Sequence, residues 1–172
     1  MDDLIGLISI ALVSLMTVIL ALKKPEISRI IYTALALRVL VILIGNYLIL
    51  LPDSTKDADG LEYLAWSYGK NGFLNTLDSF PGMNSFFYSW SIGVLYSIFG
   101  RSIMMAQSVG LLFGVGTVYL GWILTKRIWD NRTAIKVAWL LALYPSLVLY
   151  SVLTLREVYS SFFFISCDVW YF

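Results

Sequence analysis

IMMAQSVGLLFGVGTVYLGWILT, residues 103–125, contains no charged side chain. As a helix, about 23 residues rising about 1.5 Å each would cross a hydrocarbon core of roughly 30 Å. Three further apolar runs have comparable lengths, at residues 4–22, 30–51 and 137–155. A fifth run, residues 158–172, holds only about 15 residues, too few to span comfortably. The pattern predicts an all-α, polytopic membrane helix bundle with four full spans and a fifth cut short.

The composition supports a membrane protein and excludes several other classes. Of 172 residues, 59% are hydrophobic and 13% are charged, whereas a soluble domain is roughly 25% charged. One cysteine and no histidine exclude a disulfide framework, a histidine-based metal site and a histidine-dependent triad within these residues. The net charge of +1 gives no indication of nucleic-acid binding. Membrane lipids are the expected surroundings.

The two ends of the sequence predict whether the first run is retained and whether the chain is part of a larger domain. Asp2 and Asp3 replace the basic start of a secretory signal, and Lys23-Lys24 follows where a cleavage site would lie, so the first run is expected to be a retained helix. The last run stops at Phe172 without a polar cap. We therefore expect residues 1–172 to form one transmembrane domain, the N-terminal part of a larger one.

Basic residues in the short connections predict the orientation. They lie between the first and second spans and between the third and fourth: Lys23, Lys24, Arg29, Lys126, Arg127, Arg132 and Lys136. Because lysine and arginine favour the cytoplasmic side, both connections are predicted there. Residues 52–100, with five acidic and two basic residues, are then outside. We expect a multi-pass protein of the bacterial inner membrane with its active loop on the outer side.

The outer loop, residues 52–102, is predicted to carry interfacial helices. FFYSWSIGVLYSIF, residues 86–99, is too short to span and is rich in Tyr and Trp, which prefer the headgroup level. GLEYLAWSY, residues 60–68, is predicted to form a second short helix capped by Asp59.

Three aspartates, Asp53, Asp57 and Asp59, precede that short helix. Asp57-Ala58-Asp59 is a DxD triplet, whose two carboxylates can approach one cation in an extended or turn conformation. A carboxylate can also act as a general base toward an acceptor hydroxyl. Aspartates in an exposed loop are usually solvated turn residues or helix caps, so the triplet alone is weak evidence for a catalytic or metal-binding role.

Three stretches resemble the GT-C glycosyltransferases, integral-membrane enzymes that use dolichyl- or undecaprenyl-phosphate sugars, such as mannosyltransferases and aminoarabinose transferases. In DADGLEYLAWSYGKNGF (57–73) an acid is followed by a Tyr-containing short helix and a glycine. PGMNSFFYSWSIGVLYSIFGRS (81–102) has a Pro, an aromatic helix and a closing Phe-Gly. In residues 108–157, paired helices with a basic connection lead to Tyr-Pro-Ser and a charged pair.

The resemblance implies roles for particular residues. The first-loop acid, a base or metal-binding carboxylate in that family, falls on Asp59, with Asp57 as the second choice, and Tyr63 lies on the adjoining helix. The second charged site falls on Arg156, which would pair with the donor phosphate, and Glu157, which would steer it or bind a cation. The implied cofactor is a divalent cation, Mg or Mn, held by Asp57 and Asp59.

The sequence accordingly predicts a glycosyltransferase that moves a sugar from a polyprenyl-phosphate donor to an unidentified acceptor at the outer membrane face. The alternatives are a transporter or flippase subunit for lipid-linked glycans and a non-catalytic membrane scaffold. Arg38, in the middle of the second span, fits either a functional charge or a structural pair inside the bundle. Gly110 and Gly114 form a GxxxG pattern, which indicates close helix packing.

Overall fold

The computed structural model describes residues 2–49, 51–52 and 57–171. This part of the chain is helical throughout, with turns between the helices. The helices are α1 (Asp2–Lys23), α2 (Ser28–Tyr47), α3 (Asp57–Gly69), α4 (Phe73–Asp78), α5 (Phe87–Phe99), α6 (Ile103–Ile128), α7 (Asn131–Leu143), α8 (Pro145–Val152) and α9 (Glu157–Tyr171).

Helix α6 is the centre of the bundle. It contacts α1, α2, α7, α8 and α9, and its buried residues cover most of its circumference. Such all-round burial is expected of a helix enclosed by other helices. The main core includes Leu111, Val115 and Val118 of α6 together with Ile31 and Ile42 of α2.

Three helices among the described residues, α1, α2 and α6, are long and apolar enough to cross a membrane. The α7–α8 pair makes a fourth if its two segments, bent by 55° at the break, form one span. The predicted all-helical fold is confirmed, and the length and composition of these helices are consistent with the predicted membrane protein. Pro145 lies inside the fourth apolar run, and a proline within a helical run predicts a kink there. The break falls at that position, because α7 ends at Leu143 and Pro145 begins α8.

The bundle has two ends of different character. At one end, Lys126 Nζ of α6 donates to Glu26 Oε2 at 2.6 Å, which brings the two basic connections together. At the other end, the Ser102 hydroxyl donates to the Asp2 carbonyl at 2.8 Å. We call these the basic end and the loop end; α3, α5 and the start of α9 belong to the loop end.

Helices α3 and α5 form a tightly packed pair at the loop end. A Cβ on Gly69 would lie 2.7 Å from the Gly93 carbonyl oxygen, and one on Gly93 would lie 2.8 Å from the Ala65 carbonyl oxygen. The two backbones therefore touch through glycines. Helix α5 begins one residue after the predicted start, whereas α4 was not predicted.

The predicted start of the short helix over residues 60–68 is wrong. Helix α3 begins at Asp57 rather than at Gly60, so Asp59 is a first-turn residue and not the residue that caps the helix. The physical reason is that aspartates also favour the first turn, where they face the positive end of the helix dipole.

The GxxxG prediction is confirmed. A Cβ on Gly110 would lie 2.8 Å from the Ser151 carbonyl oxygen, and one on Gly114 would lie 2.5 Å from the Ser151 Cβ. Both glycines let α8 approach α6 closely, as small residues do between membrane helices.

Candidate functional site

The start of α3 is fixed against the connection between α8 and α9. The Thr154 hydroxyl donates to the Ala58 carbonyl at 2.9 Å. Ala58 also packs in a small buried cluster with Leu153 and Leu155. These contacts bring residues about 100 positions apart in sequence to one place at the loop end.

A cavity of about 320 Å³ opens at this junction. Its charged lining residues are Asp57 of α3 and the adjacent pair Arg156 and Glu157. Leu61, Leu64 and Leu155 line its apolar part, together with Gly60 and Phe86. We call it the carboxylate cavity. Its volume lies at the lower end of the range for small-molecule sites, roughly 300–1,000 Å³.

The two predicted charged sites therefore meet in one cavity through Asp57, Arg156 and Glu157. Arg156 Nε lies 3.7 Å from Glu157 Oε1, and both side chains are about half exposed, at 52% and 51%. An ion pair this long and this open contributes little to stability. The Arg156 guanidinium thus keeps its hydrogen-bonding capacity for a ligand.

The structure places the other predicted residues elsewhere. Asp59 is exposed and does not line the carboxylate cavity, because residues two apart on a helix point in different directions. Tyr63 is 67% exposed and is also outside the lining. Asp53 lies outside the described residues. The roles predicted for Asp59 and Tyr63 stay predictions.

The predicted cation ligands, Asp57 and Asp59, both lie in the first turn of α3. The DxD triplet is helical, not extended, and side chains two residues apart on a helix point in different directions. Within the described residues, no three acidic or cysteine side chains are grouped to hold a metal ion. The carboxylates that share a cavity are Asp57 and Glu157, and such hard oxygen donors suit Mg or Mn.

A second cavity, about 330 Å³, lies next to the first and shares Arg156 with it. We call it the phenol cavity, because Tyr88 of α5 and Tyr159 of α9 line it. The other lining residues are Asn84, Ser85, Phe87, Ser160 and Phe163. This lining contains no carboxylate, in contrast to that of the carboxylate cavity.

A buried charge network was missed by the sequence analysis. Glu62 is only 6% exposed and accepts two hydrogen bonds from Arg101, at 2.9 and 2.7 Å. The Tyr96 hydroxyl donates to the same carboxylate at 3.0 Å. Burial and the nearby negative charge of Glu62 raise the pKa of Tyr96, so the phenol stays a donor. The network joins α3 to α5 and to the residues before α6.

A sequence signal for the burial of Glu62 does exist. The buried positions of α3 are Ala58, Glu62, Ala65 and Gly69. Their spacing of four, three and four residues marks one helical face, and the glutamate stands among small residues on that face. Its partner Arg101 lies 39 positions away, a distance that no local pattern identifies.

The Arg38 side chain makes its hydrogen bonds to other residues inside the bundle. It is 1% exposed and donates to the Ser151 hydroxyl at 2.9 Å and to the carbonyls of Ala34 and Ala142 at 3.1 and 3.3 Å. The Ala142 carbonyl belongs to the last turn of α7, where the break removes helical donors. The void beside Arg38 has no room for water. The arginine therefore fastens α2 to the broken α7–α8 span.

No family model matches the chain, and neither the curated proteins nor the solved structures contain a significant match to it.

Proposed function

We propose that the protein is a membrane glycosyltransferase that transfers a sugar from a polyprenyl-phosphate donor to an acceptor hydroxyl in the carboxylate cavity. The observation that carries the proposal is the meeting of Asp57 with Arg156 and Glu157 in one cavity at the loop end. A carboxylate and a guanidinium in one small cavity supply a base and a phosphate-binding cation. The GT-C resemblance of the surrounding sequence supports the same reaction.

Asp57 is the proposed base because it lines the cavity with Arg156, whereas Asp59 does not. The acceptor hydroxyl gives its proton to the Asp57 carboxylate while its oxygen bonds to the anomeric carbon with inversion. The bond from that carbon to the donor phosphate oxygen breaks, and polyprenyl phosphate leaves with the electron pair. Arg156 stabilises the charge that develops on this leaving group.

A divalent cation, when bound, would neutralise phosphate charge, and Asp57 and Glu157 would hold it. The outer face of a bacterial inner membrane is the proposed location, with α3 and α5 at the headgroup level. Exposed aromatic residues of these two helices, Tyr63 and Phe99, and Phe86 immediately before α5 support an interfacial position. The transporter alternative receives less support, because Arg38 is hydrogen-bonded within the bundle.

The test compares Asp57→Asn with Asp59→Asn in membranes that contain equal amounts of the full-length protein. Transfer from a panel of labelled polyprenyl-phosphate sugars is measured. We expect Asp57→Asn to lower transfer by about 100-fold, the usual contribution of a general base, and Asp59→Asn to change it by less than about twofold.

The opposite pattern would move the base to Asp59, as the sequence predicted. Transfer that neither variant changes would remove both aspartates from the chemistry. Absence of transfer by the wild type with every donor would contradict the glycosyltransferase proposal and favour a transporter or a scaffold.

A further inference from the structure

One face of α2 forms an open apolar groove on the surface of the bundle. The groove has a volume of about 880 Å³, and Ser14 of α1 forms part of its wall. The other lining residues belong to α2 and the position after it: Tyr32, Leu35, Ala36, Val39, Leu40, Leu43, Ile44, Tyr47 and Leu48. Repeated steps of three and four residues mark one side of a helix. We call this feature the α2 groove.

Arg29 continues the same side of α2 toward the basic end. It lies three positions before Tyr32 and seven before Ala36, and residues at these spacings share a helical face. Arg29 is exposed, and its guanidinium forms no ion pair with any residue that the structure describes. The acid nearest in sequence, Glu26, is paired with Lys126 at 2.6 Å. The Arg29 charge is therefore available to an anion from outside the bundle.

The part of the groove next to Arg29 has the length of one lipid leaflet. From Tyr32 to Leu43 the helix rises about 16 Å, at about 1.5 Å per residue. This is about half of a hydrocarbon core of roughly 30 Å. A phospholipid with its phosphate at the level of Arg29 would therefore lay one acyl chain against apolar side chains along its whole length.

Charge argues against a second copy of this chain as the occupant of the α2 groove. Two copies in one membrane share their orientation, so a symmetric contact through this face would bring residues of equal depth together. The two Arg29 side chains would then face each other, and like charges repel. An anion is the complementary partner, and anionic lipid head groups attract basic residues at a membrane surface.

We propose that the α2 groove binds an anionic phospholipid, with the head-group phosphate at Arg29 and one acyl chain along residues 32–43. The site lies toward the basic end, whereas the carboxylate cavity lies at the loop end. The bound lipid is thus a partner of the bundle and not a sugar donor. This inference goes beyond the proposed function and does not depend on it.

The test uses phosphatidylglycerol that carries a photoreactive diazirine in one acyl chain, with the purified full chain in detergent micelles. Mass spectrometry of the irradiated protein identifies the labelled residues. Unlabelled phosphatidylglycerol and phosphatidylcholine with identical acyl chains then compete for the site. We expect label within residues 32–43 and about fivefold stronger competition by phosphatidylglycerol, the preference expected from one basic residue at a membrane surface.

Arg29→Gln should lower the affinity for phosphatidylglycerol by about fivefold and leave that for phosphatidylcholine unchanged, because only the charge is removed. Arg29→Lys should keep most of the preference. Arg132→Gln is the matched control, since Arg132 is also exposed and is the second residue of its helix, α7, as Arg29 is of α2. Arg132 does not line the groove, so its loss should change the affinity by less than about twofold.

A second pair of variants tests the acyl-chain position. Ala36→Phe places a large ring in the α2 groove and should remove most of the label from residues 32–43. Leu140→Phe is its control, because Leu140 is 61% exposed on α7 and lies outside the groove lining. This control should leave the labelling pattern unchanged.

Three results would overturn the inference: label only outside α2, equal competition by the two phospholipids, or equal effects of Arg29→Gln and Arg132→Gln. A dimer in sedimentation experiments that Ala36→Phe dissociates would also overturn it and would assign the groove to a second copy. Because the readout is labelling, an absence of sugar transfer would contradict the proposed function and leave this lipid site standing.

Discussion

Gly114→Leu is expected to lower the free energy of unfolding by about 3 kcal/mol or more, the upper part of the range for overpacked cores. Even a Cβ at Gly114 would lie 2.5 Å from the Ser151 Cβ and 2.9 Å from the Arg38 Nε. A leucine would therefore push α8 away from α6 and displace the arginine that links them to α2. We expect little folded protein to accumulate.

Unfolding by SDS titration in mixed micelles measures this effect, and Gly60→Leu is its control. A Cβ at Gly60 has no atom within 4 Å, and leucine is a better helix former than glycine. The control should be as stable as the wild type or more stable. Equal stability of the Gly60 and Gly114 variants would show that α6 and α8 do not pack closely at this point.

Arg101→Met is expected to lower the free energy of unfolding by about 3 kcal/mol, because it leaves the buried Glu62 carboxylate without its cation. This value is at the lower end for buried pairs, since the Arg101 side chain is 43% exposed and that of Glu62 is 6% exposed. Water reaches part of the guanidinium and screens the pair. The same SDS titration measures the change.

Two controls accompany the Arg101 variant. Lys126→Met removes a pair with similar distance, 2.6 Å, in which both partners are exposed, at 38% and 51%; it should cost less than about 1 kcal/mol. The double variant Arg101→Met with Glu62→Met should recover at least half of the lost stability, because it leaves no buried charge. A double variant as unstable as Arg101→Met alone would contradict the electrostatic explanation.

The sequence predicted those parts of the fold that depend on local composition. Uninterrupted apolar runs identified α1, α2 and α6, and Pro145 identified the break between α7 and α8. The helix-packing role of Gly110 and Gly114 followed from their spacing. Helix α4, only six residues long, has too few residues for a periodic pattern to distinguish it from a loop.

The candidate site was predictable only in part, since cavities depend on contacts between distant segments. The acid-rich triplet and the pair Arg156-Glu157 were found because charge is conspicuous in an apolar chain. The resemblance places the first-loop acid on Asp59, with Asp57 second, whereas Asp57 is the aspartate that lines the carboxylate cavity. Which side chain lies there depends on how α3 packs against residues about 100 positions away. The phenols of Tyr88 and Tyr159 gave no signal, because tyrosines in this sequence also fit interface anchors.

The hydrogen bonds of Arg38 have a consequence for the order of synthesis. Its partners in other helices, Ala142 and Ser151, follow it by 104 and 113 positions. At about 5–20 residues per second, a ribosome needs on the order of 5–20 s to reach them. During that interval, of the three partners that the guanidinium has in the folded protein, only the Ala34 carbonyl of its own helix has been synthesised. The Arg38 guanidinium therefore gains its hydrogen bonds to other helices only when the fourth apolar segment joins the second helix.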